Sequence, residues 1–312
     1  MNTTISYIEL SSSVVIVVRT IILIFITLLA VIGNSATLFI IYTKESLRTK
    51  TSVFVANLAI ADFFNGLLIM PVMIIASIAN KWPFGNAFCK VSAFVTAQLC
   101  LTSISTLCAV AIERYQSIIN PLVYESKMCK RNIISLISWT WIQSFVFSIL
   151  PILGWGKYVY VPYIFTCVTP WGDDATFTVA LFVVCMFLPY AITVKAYYHI
   201  GKLTFRHLRQ VNSDASVGTA ITIYGGSRLK SEVRCASVFA IVLGTFTVCW
   251  FPYQIIMICQ LFDVGLPNWY FTVAAWLAVM NSSCNPIIYC VMNRQFRDGF
   301  KEIIRRLRLT YT

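Results

Sequence analysis

Seven stretches of this chain stay apolar for the length of a membrane-crossing helix: roughly 14–42, 51–79, 86–118, 131–153, 174–203, 230–261 and 268–291. A bilayer core asks for ~20 such residues per helical crossing. Inside it every backbone N–H and C=O must find a partner within the protein, which leaves only helices or a closed barrel. None of the seven stretches alternates apolar and polar residues, so they read as helices. They take up most of the 312 residues, and the chain is 58% hydrophobic and only 12% charged, so little is left for a soluble domain. The expected fold is all-α: a seven-transmembrane helix bundle over 14–291, an extracellular N-terminus over 1–13, and a cytoplasmic amphipathic helix with a short tail over 292–312.

The formal net charge of +12 does not point to nucleic acid, because 19 of the 24 basic residues fall on one side of the bundle. Lys44, Arg48 and Lys50 follow span one, and Arg114, Lys127, Lys130 and Arg131 flank the next loop on that side. Lys202, Arg206, Arg209, Arg228, Lys230 and Arg234 surround the third, and Arg294, Arg297, Lys301, Arg305, Arg306 and Arg308 follow span seven. The opposite side holds Arg19, Lys81, Lys90 and Lys157. The positive-inside rule then puts the N-terminus outside and the C-terminus in the cytoplasm, as expected of a multi-pass plasma-membrane protein. No Lys or Arg precedes span one and no cleavage site follows a short apolar core, so no removable signal peptide is expected. Asn2-Thr3-Thr4 is a glycosylation acceptor on that outer end, whereas Asn281-Ser282-Ser283 matches the pattern inside span seven, where no oligosaccharide can be added. Phe296, Phe300, Ile303 and Ile304 gather on one face of 293–308 with bases on the other, the pattern of a helix lying on the inner leaflet among membrane lipids.

An ionisable side chain near the bilayer centre costs on the order of 3 kcal/mol, so each one inside a span needs a reason. Asp62 lies mid-span in Asn57-Leu58-Ala59-Ile60-Ala61-Asp62, with Asn34, Ser103, Asn281, Ser282 and Asn285 at similar depth on other spans. They read as one internal cluster for water or a small cation, with Asp62 as its charge; separate helix-to-helix hydrogen bonds are the plainer alternative, though Ser and Thr usually make those. At the basic end of span three, Glu113-Arg114-Tyr115 sets an acid beside a base, and Glu232 begins span six at the same face. Arg114 can pair with either acid, and separating such a pair is a low-energy switch. Taken alone the tripeptide also fits snorkelling interfacial charges. Pro189, Pro252 and Pro286 interrupt spans five, six and seven, each removing a backbone bond and giving its helix a hinge.

In chain order the sequence carries Gly33-Asn34, the Asp62 stretch, Trp82-Pro83-Phe84-Gly85 before Cys89, Glu113-Arg114-Tyr115 with Pro121-Leu122, Trp139, Cys167, Pro189 with Tyr197, Cys249-Trp250-Phe251-Pro252 and Asn285-Pro286-Ile287-Ile288-Tyr289. This set resembles the rhodopsin-like (class A) G-protein-coupled receptors over nearly the whole chain. Within that family the chain is similar to the amine and melatonin receptors and looks like an orphan-type member of that branch. The resemblance implies that Asp62, Ser103, Asn281 and Asn285 form a sodium and water site, the sodium at Asp62 being the only cofactor expected. It implies that Arg114 engages a heterotrimeric G protein once freed from Glu113 and from Glu232, with Tyr115 beside it. Pro189, Ile104 and Phe246 match a connector below the ligand pocket, Trp250 a toggle, Tyr197 and Tyr289 the tyrosines that support the active state, and Pro252 and Pro286 the hinges. Glu113 stands where the commoner residue is Asp, which keeps the charge.

Most of the 11 cysteines lie within spans and read as small apolar fillers. Cys89 and Cys167 face the outer, oxidising side, where a disulfide persists; the family joins this pair. Helical spacing puts Thr96, Cys100, Ser103 and Leu107 on one face of span three, and Phe246, Trp250, Tyr253, Gln254 and Met257 on one face of span six. The resemblance places the outer parts of both faces in the ligand pocket: Thr96, Cys100, Trp250, Tyr253 and Gln254, with less weight on Met257, Leu181 and Val279. Amine receptors of this family carry Asp where this chain has Thr96, and opsins carry the retinal lysine where it has Val279. The pocket is therefore expected to be neutral, and to suit a neutral small molecule or lipid.

The sequence holds no nucleophile–base pair, metal-ligand spacing or glycine-rich phosphate loop, so an enzyme is not expected. A receptor transmitting an extracellular signal by helix rearrangement is the first reading. A second is a constitutively active receptor whose aromatic loop 155–173 fills its own pocket; that loop also reads as a lid, or as aromatics resting at the headgroups. A transporter or channel using Asp62 as its path is the competing class.

Overall fold

The computed structural model describes the backbone of residues 2–213 and 220–310 and side chains over 13–206 and 236–306. Among the described residues seven helices are long and apolar enough to cross a membrane: α1 Ser13–Thr43, α2 Lys50–Ala79, α3 Gly85–Ile119, α4 Lys130–Leu153, α5 Ala175–Arg206, α6 Ala236–Leu261 and α7 Asn268–Met292. An eighth, α8 (Arg294–Thr310), follows α7 after one residue. The chain is already helical from Asn2, so residues 2–12 continue α1 rather than forming a separate segment.

Local chemistry sets the ends. The Thr49 hydroxyl caps α2 by accepting from Ser52 N at 3.2 Å. The Asp174 carboxylate caps α5 by accepting from Phe177 N at 3.1 Å. Helix α4 stops at Gly154, whose φ of 105° is costly for any residue with a Cβ. Two spans contain a widened π-type turn, Asn65–Ile69 in α2 and Phe182–Phe187 in α5. Each inserts extra backbone into the helix and rotates the face that follows it.

Helix α3 lies at the centre, packed on α2, α4, α5 and α6, while α1 and α7 close the ring and α8 folds back onto α1 and α7. The core runs between them through Phe54, Leu58, Val110, Val242 and Tyr289, with Phe296 of α8 joining it. The outer surface is the apolar one: Phe25, Ile142 and Val248 are 61%, 63% and 68% exposed, as suits helices in hydrocarbon. Gly33 matters to the ring's closure, because a Cβ there would meet the Pro286 ring at 2.9 Å; the glycine lets α1 and α7 touch.

Two features differ from the sequence reading. A two-stranded antiparallel hairpin, β1 (Val159–Val161) and β2 (Thr166–Val168), stands between α4 and α5 with Tyr160 opposite Cys167. Its strands are three residues each, too short for alternation to register in the sequence. Trp139, quoted among the motifs, faces outward at 46% exposure. The inward tryptophan is Trp141, whose Nε1 donates to Asn57 Oδ1 at 2.8 Å, because two residues along a helix turn the face by about 200°.

Candidate functional site

The end of the bundle away from the basic loops is closed by the hairpin. Cys167 of β2 is disulfide-bonded to Cys89 near the start of α3, with Cα atoms 5.5 Å apart. Further contacts hold the loop down. The Arg19 guanidinium lies 3.8 Å from the Phe165 ring centroid and also donates to the Ser77 carbonyl. The Thr272 hydroxyl donates to the Tyr163 carbonyl at 2.7 Å, and Trp171 N donates to Gln260 Oε1 at 3.3 Å. Asp174, accepting from Thr176 Oγ1 at 2.7 Å and from two backbone N–H groups, is held below the ordinary carboxylate range by those donors.

Beneath the loop is a pocket of about 110 Å³. Thr96, Cys100, Leu181, Trp250, Tyr253 and Val279 line it, together with Asn65, Met73 and Met186. Loop residues Ile164, Thr166, Val168, Thr169 and Trp171 form its roof, with Trp171 edge-on to Tyr253 at 6.2 Å between centroids. No charged side chain is among the residues lining it. Gln254 instead faces a cleft between α5 and α6, donating to Met186 Sδ at 3.2 Å. Met257 is packed in the core. The Trp250 ring stacks on Phe246 at 5.8 Å, and Ile104 and Phe246 pack beside Pro189 at the cleft's inner edge.

One turn deeper lies the polar cluster. Asn285 Nδ2 donates to Asp62 Oδ2 at 2.7 Å, and the Ser103 and Ser282 hydroxyls also bond this carboxylate. Asn65, one helical turn from Asp62 on the same face of α2, donates Nδ2 to Ser282 Oγ at 3.1 Å, and Asn34 Nδ2 donates to the Ser282 carbonyl at 2.9 Å. Asn281 is buried one turn along α7. Carboxylate, hydroxyl and amide oxygens suit a hard monovalent cation, and the donor set therefore fits sodium. Asn65 also lines the pocket beneath the loop, so cluster and pocket share a wall.

At the basic end, Arg114 grips Glu113 with both arms: Nε to Oε2 and Nη2 to Oε1, each 2.6 Å. Tyr124 OH donates to Glu113 Oε1 at 2.6 Å, and Thr51 Oγ1 bonds both Glu113 oxygens and contacts Arg114. Glu113 is wholly buried, and Arg114 is 5% exposed. Arg114, Tyr289, Arg294 and Arg297 face a cavity of about 680 Å³ that opens at this end. Tyr289 packs between Phe239 and Phe296, Tyr197 sits in the core between α3 and α6, and Tyr115 lies edge-on to His199 at 6.0 Å. Glu232 and Asn2 lie outside the residues whose side chains are described. Thr51, Tyr124 and Asn65 escaped the sequence reading; each is an ordinary polar residue whose partner lies on another element.

A family model described as 7 transmembrane receptor (rhodopsin family) matches residues 33–289. The chain is 29% identical over 299 residues to 5-hydroxytryptamine receptor 4 of Cavia porcellus, covering 89% of this chain and 77% of that one. It is 30% identical over 292 residues to trace amine-associated receptor 4 of Mus musculus, covering 88% and 82%. The crystal structure of squid rhodopsin matches with a TM-score of 0.85 over 94% of this chain and 86% of the other at 24% identity, a likeness of fold.

Proposed function

The chain belongs to the rhodopsin family of seven-transmembrane receptors and is a G-protein-coupled receptor for an extracellular signal, and we propose that this signal is a neutral small molecule seated against Thr96, Cys100, Trp250 and Tyr253. The observation that carries this reading is the uncharged pocket lining. The serotonin and trace-amine receptors it resembles are named for amines. An ammonium would here be stripped of water with no carboxylate to pair it, which disfavours an amine.

In this reading the N-terminus, glycosylated at Asn2, and the hairpin are extracellular, and the basic end with α8 faces the cytoplasm of the plasma membrane. Thr96 and Arg114 are 18 residues apart on one helix, ~27 Å at the helical rise, so the ligand acts by moving helices. Agonist favours an arrangement with α6 swung outward about Pro252, Pro286 flexing α7, and Tyr197 and Tyr289 turning inward to support it. Arg114 leaves Glu113 and any bond to Glu232 and meets a heterotrimeric G protein in the basic-end cavity. Sodium held by Asp62, Ser103 and Asn285, with Asn281 nearby, would favour the resting arrangement. The protein contributes no catalytic chemistry of its own. Testing means screening a neutral small-molecule library against guanine-nucleotide exchange on the purified receptor; activation by amines alone would refute the ligand class.

The roof of the pocket favours a second reading. Loop residues roof it and the space beneath is only about 110 Å³, so in this reading the loop itself would act as a built-in agonist. High basal exchange that falls on replacing Ile164 and Trp171 with Ala would support this; a rise would mark the loop as a plug.

A further inference from the structure

At the basic end a groove of about 560 Å³ runs between α2 and α4, beside the end of α1. Its two halves differ in chemistry. Arg48 in the turn before α2, Lys50 at the start of α2 and Lys130 at the start of α4 line one half, and Ile41, Val53, Ala56 and Ile134 line the other. Six positions separate Lys50 from Ala56 and four separate Lys130 from Ile134, so at the helical rise the apolar half lies ~6–9 Å further along the bundle than the bases. Val53 and Ile134 are 44% and 53% exposed, so that half opens onto the lipid-facing surface.

The charge in the groove is positive and largely unmatched. No acid is among the residues lining it. Glu125 pairs with Lys50 at 2.7 Å, but Arg48 and Lys130 join no ion pair among the described residues, and neither does Glu45 in the turn with Arg48. Arg48 uses one guanidinium N–H on the Tyr42 carbonyl at 2.7 Å. Neither α2 nor α4 carries an acid in its first turn, where the helix dipole adds to the positive potential. Acyl chains alone could cover the apolar half as they cover the rest of the bundle; the bases select the occupant. A basic pocket between spans is complementary to the phosphates of a lipid head. Two cations without a carboxylate call for a head with more than one negative charge, and the apolar wall beyond them calls for a tail on the same molecule.

We infer that this groove binds a membrane lipid whose head carries phosphomonoester groups, its phosphates against Arg48 and Lys130 and an acyl chain over Val53, Ala56 and Ile134. Lys50 is a third cation, shared with Glu125. Thr49 and Ser52 line both this groove and the basic-end cavity, so the lipid borders the surface on which the G protein is proposed to dock. Binding itself rests neither on the ligand class nor on G-protein coupling.

The test uses the full chain in phosphatidylcholine nanodiscs containing a phosphatidylinositol bisphosphate with a diazirine in its tail, photolabelled residues being mapped by mass spectrometry. Labelling should saturate and concentrate at Ile41, Val53 and Ile134. Arg48→Gln and Lys130→Gln should each weaken it about fivefold, the contribution of one base near the membrane surface, whereas Lys301→Gln, on α8 and outside the groove, should leave it unchanged. Ala56→Trp should abolish it by filling the apolar half with all three bases in place, and Val53→Trp serves if that variant does not fold. Phosphatidylserine at equal total negative charge should compete poorly, and soluble inositol trisphosphate should not displace the lipid. Labelling that follows total negative charge whatever the lipid, ignores the tryptophan substitutions and falls as much with Lys301→Gln would overturn the site in favour of a diffuse attraction. Ready displacement by inositol trisphosphate would overturn it as a lipid site and mark a binding place for free phosphates.

Discussion

Replacing Tyr124 with Phe should raise basal signalling. The Tyr124 hydroxyl shares Glu113 Oε1 with Arg114 Nη2, both at 2.6 Å, and so fixes the carboxylate in the orientation the two-armed pair requires. Phe keeps the ring that lies 4.6 Å from Lys50 Nζ and removes only the hydroxyl. A hydrogen bond to a charged group contributes about 1.5–3 kcal/mol, and the acceptor here, Glu113, is fully buried. If about 2 kcal/mol falls on the resting state alone, the resting-to-active ratio drops roughly 30-fold. A receptor that starts near 1:99 would then be active about a quarter of the time. The assay is GTPγS binding to purified G protein with wild type and Y124F at equal receptor in nanodiscs. Equal basal rates in the two, with folding verified by equal melting temperatures, would refute the idea that this buried acid restrains Arg114.

Further outcomes follow from the same contacts. Asp62→Asn should abolish the dependence of agonist affinity on sodium, measured between sodium and N-methylglucamine buffers; surviving dependence would place the ion elsewhere. Gly33→Ala should lower the melting temperature by an amount equivalent to about 1–3 kcal/mol, because the new Cβ meets Pro286 at 2.9 Å; an unchanged melting point would show that α1 and α7 shift freely. Asp174 has a depressed folded-state pKa, so its capping bonds stabilise fully above the ordinary Asp range and are lost as pH falls through the folded value. The melting temperature of Asp174→Asn should therefore converge on that of wild type only at strongly acid pH, and a constant gap down to that range would contradict the assignment.

The spans were legible because hydrocarbon imposes a length and a composition that no local irregularity hides. The same held for Asp62 with Asn285 and for Glu113 with Arg114: a charge inside a span is expensive, so its presence announces itself. What was not legible depends on geometry that a strict 3.6-residue period misses. The widened turn at Phe182–Phe187 brings Met186 to the pocket wall. Trp139 and Trp141 are equal in composition and differ only in face. Thr51 and Tyr124 stand at loop junctions, where polar residues are unremarkable until the fold sets them against Glu113.

The most direct measurement of whether this chain is a receptor switch is nucleotide exchange on heterotrimeric G proteins of each class, catalysed by the purified protein in nanodiscs, with ion and solute flux followed in matched proteoliposomes. The account predicts exchange above the protein-free rate for at least one G protein, raised by Y124F and abolished by Arg114→Ala, with no specific flux. Specific flux that depends on Asp62, without exchange on any G protein, would contradict it.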